Sequence, residues 1–355
     1  MGGNAINDTV RLNSTDYFTL CDEVISRILK YSLEHPISSK NSIRFNVIKA
    51  YADKPTYGDM DIIIDDYSDF DYDGLIDSFN PSQIHKNGNV ISFGYKNFQI
   101  DLIKTNPAIF DFANNYYSFN DLGNLMGRVA HSMGLSYGHQ GLYYKIRKDN
   151  YKTKNILICT DSRSVFELLD YDYDVFLNGF DSLTDIFEYV KSSKYFTSGV
   201  FAFENRNHRA RVRDKKRSTY TAFLEYIGEK PDFRNVKPHN GAYEDIDHHT
   251  DLSSHDKRMS FKDKMLLVLL EKYDNLQSEI DLFNNTYNSI KQFKSKFNAT
   301  MVTEEIGLTT KDLGEFIQTH QYNVRNEEFR NFLFNSTAEQ IRQRIREDYE
   351  NVRIE

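Results

Sequence analysis

Two aspartates at i and i+2, Asp59 and Asp61, open a hydrophobic run in the segment Tyr57-Gly58-Asp59-Met60-Asp61-Ile62-Ile63-Ile64. If that run is a strand, alternation turns both carboxylates to the same face, where they repel one another unless a divalent cation sits between them. A third, Asp101, interrupts the apolar run Asn97-Phe98-Gln99-Ile100-Asp101-Leu102-Ile103 and is an awkward core residue unless it joins the same site. Acidic pairs at strand starts are also ordinary turn residues, so this pair takes its meaning from Gly58 before it and Asp101 after it. Three carboxylates with no His or Cys nearby suit hard, oxygen-seeking ions such as Mg²⁺ or Mn²⁺. Two such ions serve an in-line phosphoryl displacement, activating an attacking hydroxyl and stabilising a leaving pyrophosphate.

The elements that must position these acids are legible as patterns. After Asn13-Ser14, the residues Phe18, Cys21, Ile25, Ile28 and Leu29 recur at three and four, with Pro36 beyond them, which predicts an amphipathic helix. Strand-like runs follow at Phe45 to Tyr51, Asp61 to Ile64 and Val90 to Thr105. Asn120 to Gly134 reads as helix, Gly138 to Arg147 and Asn155 to Cys159 as strands, and Ser182 to Lys194 as helix. A helix followed by a small sheet predicts an α+β core. One strongly basic stretch stands out, with Arg206, Arg209, Arg211, Arg213, Lys215, Lys216 and Arg217 against the single acid Asp214. The polar segment from Asp232 to Asp256 reads as a linker, and its Asp245, Asp247, His248, His249 and His255, without helix or strand spacing, read as surface residues. From Ser260 onward the pattern is helical, with Met265, Leu269, Tyr273, Leu276, Ile280 and Phe283 on one stripe.

The chain has 355 residues, 39% hydrophobic and 27% charged, with a formal net charge of -8, a globular composition with a sizeable core. Its mean hydropathy is -0.62, and its longest apolar stretch, Met265 to Leu270, is too short to cross a bilayer. The first residues lack the basic and apolar regions of a signal peptide, and Ile6 stands where a myristoylation signal wants Ser or Thr, so a cytoplasmic protein is expected. Cys21 and Cys159 offer neither a disulfide framework nor a cysteine zinc site.

Lys54-Pro55-Thr56-Tyr57-Gly58-Asp59-Met60-Asp61-Ile62-Ile63-Ile64 resembles the palm strand of the nucleotidyltransferase superfamily that includes the DNA polymerase beta-like, family X DNA polymerases, and Phe98-Gln99-Ile100-Asp101-Leu102 resembles the strand with its third metal ligand. Tyr116-Tyr117-Ser118 is similar to the family's paired-aromatic turn, and Asp121, Asn124 and Arg128 follow at the spacing of its nucleotide-facing and template-facing residues. Asp185-Ile186-Phe187-Glu188-Tyr189 resembles a helix of its last subdomain, so the likeness runs in chain order over roughly residues 45 to 195. It implies Asp59 and Asp61 on both metals and Asp101 on the catalytic metal, with Tyr116 and Tyr117 beside the sugar. It also implies Asp121 and Asn124 at the base and Arg128 sensing the template. The family's Gly-Ser or Gly-Gly pair before the first ligand is replaced here by Ile48-Lys49. Gly2-Gly3 folding back, with Lys49 or Lys54 supplying charge, is one way to hold the triphosphate, and decay of that site is the other.

The expected architecture is α+β. A palm spans 1–112, a thumb-like subdomain 113–200, a basic connector and polar linker 201–256, and a mostly helical domain 257–355. The expected activity is transfer of a nucleoside monophosphate from a nucleoside triphosphate to a nucleic-acid 3′-hydroxyl, with DNA favoured over RNA. The basic stretch from Arg206 to Arg217 would grip phosphates without reading sequence. Template-independent tailing of RNA, and an inactive nucleic-acid-binding relative, are the alternatives.

Overall fold

The computed structural model describes residues 5–38, 42–148, 152–203, 208–228 and 261–354. Gly2, Gly3, Arg206, the side chain of Arg209 and the polar segment with its histidines lie outside the described residues. The chain divides into two compact units, Met1–Lys272 and Tyr273–Glu355.

The first unit is mixed α+β. Its first half runs β1 (Leu12–Asn13), α1 (Ser14–Glu34), β2 (Phe45–Val47), β3 (Thr56–Tyr57), β4 (Asp59–Asp65), α2 (Tyr72–Asp77), β5 (Ile84–Asn87), β6 (Val90–Tyr95), β7 (Phe98–Thr105) and α3 (Phe110–Tyr117). Then come α4 (Leu122–Ser132), β8 (Leu135–Gly138), β9 (Gly141–Lys148), β10 (Lys152–Cys159), α5 (Ser162–Leu168), α6 (Tyr173–Asn178), α7 (Leu183–Ser192), α8 (His208–Asp214), α9 (Ser218–Tyr226) and α10 (Phe261–Lys272). A five-stranded sheet has the order β2-β4-β7-β6-β5, in which β4 and β7 are parallel and the other pairs antiparallel. Antiparallel β8, β9 and β10 form a second sheet.

β4 is covered on both faces. Met60, Ile62 and Ile64 point into the core beneath α1, with Val24, Ile28 and Leu102. On the opposite face Ile63 meets Phe110 and Ala113 of α3. Period-2 alternation therefore puts Asp59, Asp61 and Asp65 on the α3 side. α1 begins where the sequence predicts, with Asn13 Oδ1 accepting from Asp16 N at 3.0 Å. Its buried face is rotated from the predicted one. Tyr17, Leu20, Cys21, Val24, Ile28 and Tyr31 are buried, while Phe18 and Leu29 remain 54% and 45% exposed. Two helical stripes coexist in this sequence, and packing against the sheet selects the longer. The single run predicted from Val90 to Thr105 is a hairpin, because Lys96 and Asn97 both take positive φ, 50° and 58°, and turn β6 into β7.

The second unit is helical, with α11 (Leu276–Lys296), α12 (Ala299–Ile306), α13 (Thr310–Thr319), α14 (Glu327–Asn335) and α15 (Ala338–Ile354). Its core gathers Phe293, Phe297, Phe316, Tyr322, Phe329 and Leu333. The stripe predicted from Met265 to Phe283 is interrupted, because α10 ends at Lys272 and α11 starts at Leu276. No helix among the described residues is long and apolar enough to cross a membrane.

Candidate metal and nucleotide site

The parallel pairing of β4 with β7 registers Asp59 with Gln99 and Asp61 with Asp101. Partners in register project to the same side, so three carboxylates from two distant segments share one face of the sheet. One oxygen from each of Asp59, Asp61 and Asp101 lies within 4.8 Å of the other two. Asp59 and Asp61 are half-buried and Asp101 is buried. Burial and the neighbouring charges of Asp59 and Asp101 push the Asp61 carboxyl up to about 7, and Asp101 is raised chiefly by burial. An all-oxygen donor set held together against its own repulsion fits a hard divalent cation.

The raised carboxyl gives a stability prediction with a definite sign. Unfolded, Asp61 ionises near its ordinary value of about 3.9. Folded, it keeps its proton to about 7. The unfolded state therefore binds fewer protons across that window, and stability falls as pH rises through it. Without divalent ions, thermal melts should drop between pH 5 and pH 8 by an amount on the order of 5 °C. Mn²⁺ should restore more at pH 8 than at pH 5, and Asp61→Asn should flatten the profile. Melts that rise with pH and ignore Mn²⁺ would remove the strained carboxylate set.

Gln99 was not singled out from the sequence, yet it organises this corner. Its Nε2 donates to both oxygens of Asp101, at 2.9 and 3.0 Å. Its Oε1 accepts from the backbone N–H groups of Ala5 and Ile6, at 2.9 and 3.2 Å. The segment after Asn4 thus lies against Gln99, with Val10 N donating to Asn97 O at 2.8 Å and β1 pairing with β3. Gly94, opposite Gln99 in β6, leaves the room this needs, because a Cβ there would stand 3.0 Å from Ile6 Cγ2 and 2.3 Å from Ser82 Oγ. Gln99 is a positioning residue for Asp101. Gln99→Leu should weaken Mn²⁺ binding, read as the concentration that half-saturates thermal stabilisation, by about 10–100-fold. An unchanged midpoint would reduce Gln99 to a packing residue.

The lysines and tyrosines named from the sequence divide. Lys54 Nζ is 3.4 Å from Asn120 Oδ1 and 4.6 Å from the centre of the Tyr57 ring. Burial lowers its pKa, while Asp59 and Asp61 hold it up. Lys49 is exposed and borders a cavity of about 480 Å³ beside Tyr17, Tyr51, Phe119 and Phe180. Gly58 is half-buried between β3 and β4. Tyr117 is pushed far above the ordinary tyrosine range by burial, then by Tyr116 and Asp61. The His139 ring, which sequence reasoning missed, stacks on Tyr117 with centroids 5.5 Å apart.

Asp121, the N-cap of α4, and Asn124 and Arg128 within it are half-buried and meet the basic stretch. Arg217 pairs with Asp121, Arg213 Nη2 donates to Asn124 Oδ1 at 3.3 Å, and Arg128 lies 3.7 Å from Asp214. Asp214, the one acid of that stretch, is fully buried and also pairs with Arg213 Nε at 2.9 Å. Two of the seven predicted phosphate-gripping cations are thus engaged on α4, Arg211 is half-buried, and Lys215 and Lys216 are exposed.

No family model matches the chain, and no curated protein matches it. Among solved structures, one of Leishmania infantum polymerase beta, a ternary P/T complex, is similar over 45% of this chain and 73% of its own, with 12% identity and a TM-score of 0.34. What the chain can do is therefore read from its own residues.

Proposed function

We propose that this protein is a metal-dependent nucleotidyltransferase that adds nucleoside monophosphates from a nucleoside triphosphate to a nucleic-acid 3′-hydroxyl, in its leading form a DNA polymerase beta-like enzyme. The observation that carries this reading is the convergence of Asp59, Asp61 and Asp101 from two parallel strands, with Lys54 beside them. Bound Mg²⁺ or Mn²⁺, two ions in this reading, would supply Lewis acidity and charge neutralisation at the reacting phosphate. Asp59 and Asp61 would hold both ions, and Asp101, oriented by Gln99, would receive the proton of the attacking hydroxyl. Lys54 adds positive charge where the triphosphate arrives, and Tyr116 and Tyr117 form the wall beside its sugar.

Template-independent tailing is the second reading. The pairing of Asp121 and Asn124 with Arg217 and Arg213 favours it, because the residues expected to face base and template are already engaged within the chain. Extension of a labelled primer, alone or annealed to DNA or RNA template, with each nucleotide and Mg²⁺ or Mn²⁺, separates the two. Template-dependent extension that Asp59→Asn abolishes supports the polymerase, and extension of the bare strand supports tailing. No extension with either metal defeats both.

A further inference from the structure

The turn between β8 and β9 holds a residue that turn chemistry does not ask for. Gly138 pairs with Gly141, so His139 and Gln140 alone span the hairpin. Two-residue hairpins favour Asn or Gly at such positions, because those residues take positive φ readily. Neither His139 nor Gln140 takes positive φ. The unusual backbone falls at Gly141, φ 141°, where a Cβ would stand 2.7 Å from Leu157 Cδ1 and 3.0 Å from Cys159 O. A residue that local chemistry does not select points to what its side chain touches. The half-buried His139 ring is tilted only 19° from the Tyr117 ring, at 5.5 Å between centroids, and its centroid is 6.2 Å from that of Tyr116. Burial lowers its pKa below the ordinary histidine value. At neutral pH the imidazole is therefore uncharged, and it meets Tyr117 as one aromatic ring meets another.

Tyr117 is held from other directions as well. It packs against the cluster of Ile63, Phe110 and Ala113. Tyr116 meets it edge-on at 5.5 Å and itself meets Tyr137 at 5.1 Å. Gly123 lets α4 close onto Tyr116, because a Cβ there would stand 2.2 Å from the Tyr116 carbonyl oxygen. The Asp61 charge reaches Tyr117 and raises its pKa, so the clamped ring stands beside the carboxylates. A ring free to swing yields to an extra hydroxyl on a bound sugar, whereas a fixed ring does not. An apolar wall rejects an added hydroxyl by about 10²-fold at most, so a selectivity of that size depends on the wall staying in place. We propose that His139 is a positioning residue that clamps Tyr117, and that this clamp makes the site select a 2′-deoxynucleoside triphosphate over its ribo counterpart. This rests on the nucleotidyl-transfer reading and deepens it, placing the control of sugar choice on a sheet apart from the one that carries the carboxylates.

The test is single-nucleotide incorporation by the full chain, with kcat and KM measured for the deoxy and ribo forms of one nucleotide. The parent should favour the deoxynucleotide. His139→Ala should narrow the ratio of the two kcat/KM values by about 10-fold, chiefly through better use of the ribonucleotide. His139→Phe keeps a stacking ring and should keep the parent ratio. Circular dichroism melts check that both variants are folded. A parent that favours the ribonucleotide, an unchanged ratio in His139→Ala, or an equal narrowing in His139→Phe overturns the clamp. No incorporation by the parent with either sugar and either metal defeats the nucleotidyl-transfer reading and the clamp with it. Incorporation whose sugar ratio ignores His139 defeats the clamp alone, so the two failures are separate results.

Discussion

Asp101→Asn is expected to lower nucleotide incorporation by about 10³-fold or more, equivalent to about 4 kcal/mol of lost transition-state stabilisation. Two effects act together. The variant removes one of three negative charges from oxygens that converge within 4.8 Å, so the cation is held less firmly. It also sets a side-chain amide where Gln99 Nε2 now donates to two carboxylate oxygens, which leaves a single acceptor and forces that corner to rearrange. The folded protein should not suffer. Removing the Asp101 charge takes away one of the contributions that raise Asp61, so the apoprotein should melt at the same temperature or higher at pH 8. Reduced incorporation with an unchanged or raised Tm places Asp101 in the chemistry. Near-parent incorporation removes it.

The second large effect lies at the far end of β4, the strand that carries Asp59 and Asp61. Asp65, the last residue of β4, is fully buried. Arg44 grips it with Nη2 at 3.1 Å and Nε at 3.3 Å, donates to Pro107 O at 2.7 Å, and stacks 4.1 Å from the centre of the Phe110 ring. Arg44→Met strands a buried carboxylate and should cost about 3–5 kcal/mol at neutral pH, read by denaturant unfolding. Replacing both partners, Arg44→Met with Asp65→Leu, should recover much of the loss, because a paired apolar substitution leaves no orphaned charge. If the single and double variants are equally unstable, the guanidinium contributes through packing on Phe110 and not through the ion pair.

These two sites show how much the sequence could disclose. Asp59, Asp61 and Asp101 were legible because an acid inside a period-2 apolar run has few explanations, and the run also fixes which face it takes. Gln99 obeys the same alternation as Asp101 and could have been found by it. The approach of Ala5 and Ile6 to Gln99 could not, since it joins residues 94 and 93 positions apart through backbone N–H groups that carry no sequence signal. The rotated face of α1 and the turn at Lys96-Asn97 were missed for related reasons. Two apolar stripes compete on one helix, and the turn contains neither Gly nor Pro. The basic stretch from Arg206 to Arg217 was conspicuous, yet composition did not reveal that Asp214 turns part of it back onto α4.

The parallel pairing of β4 and β7 also governs when the carboxylates meet. No hairpin can join parallel strands, so α2, β5 and β6 lie between the two halves of the acid set. The entropy of closing that long loop is spent before any contact across it forms, and pairings of this kind are completed late in folding. Asp61 and Asp101 are therefore far apart in the unfolded chain, and their mutual repulsion is met only near the end of the folding path. A cation captured there would add little to the nucleus and would act on the rate of unfolding instead, closing the sheet from behind like a latch.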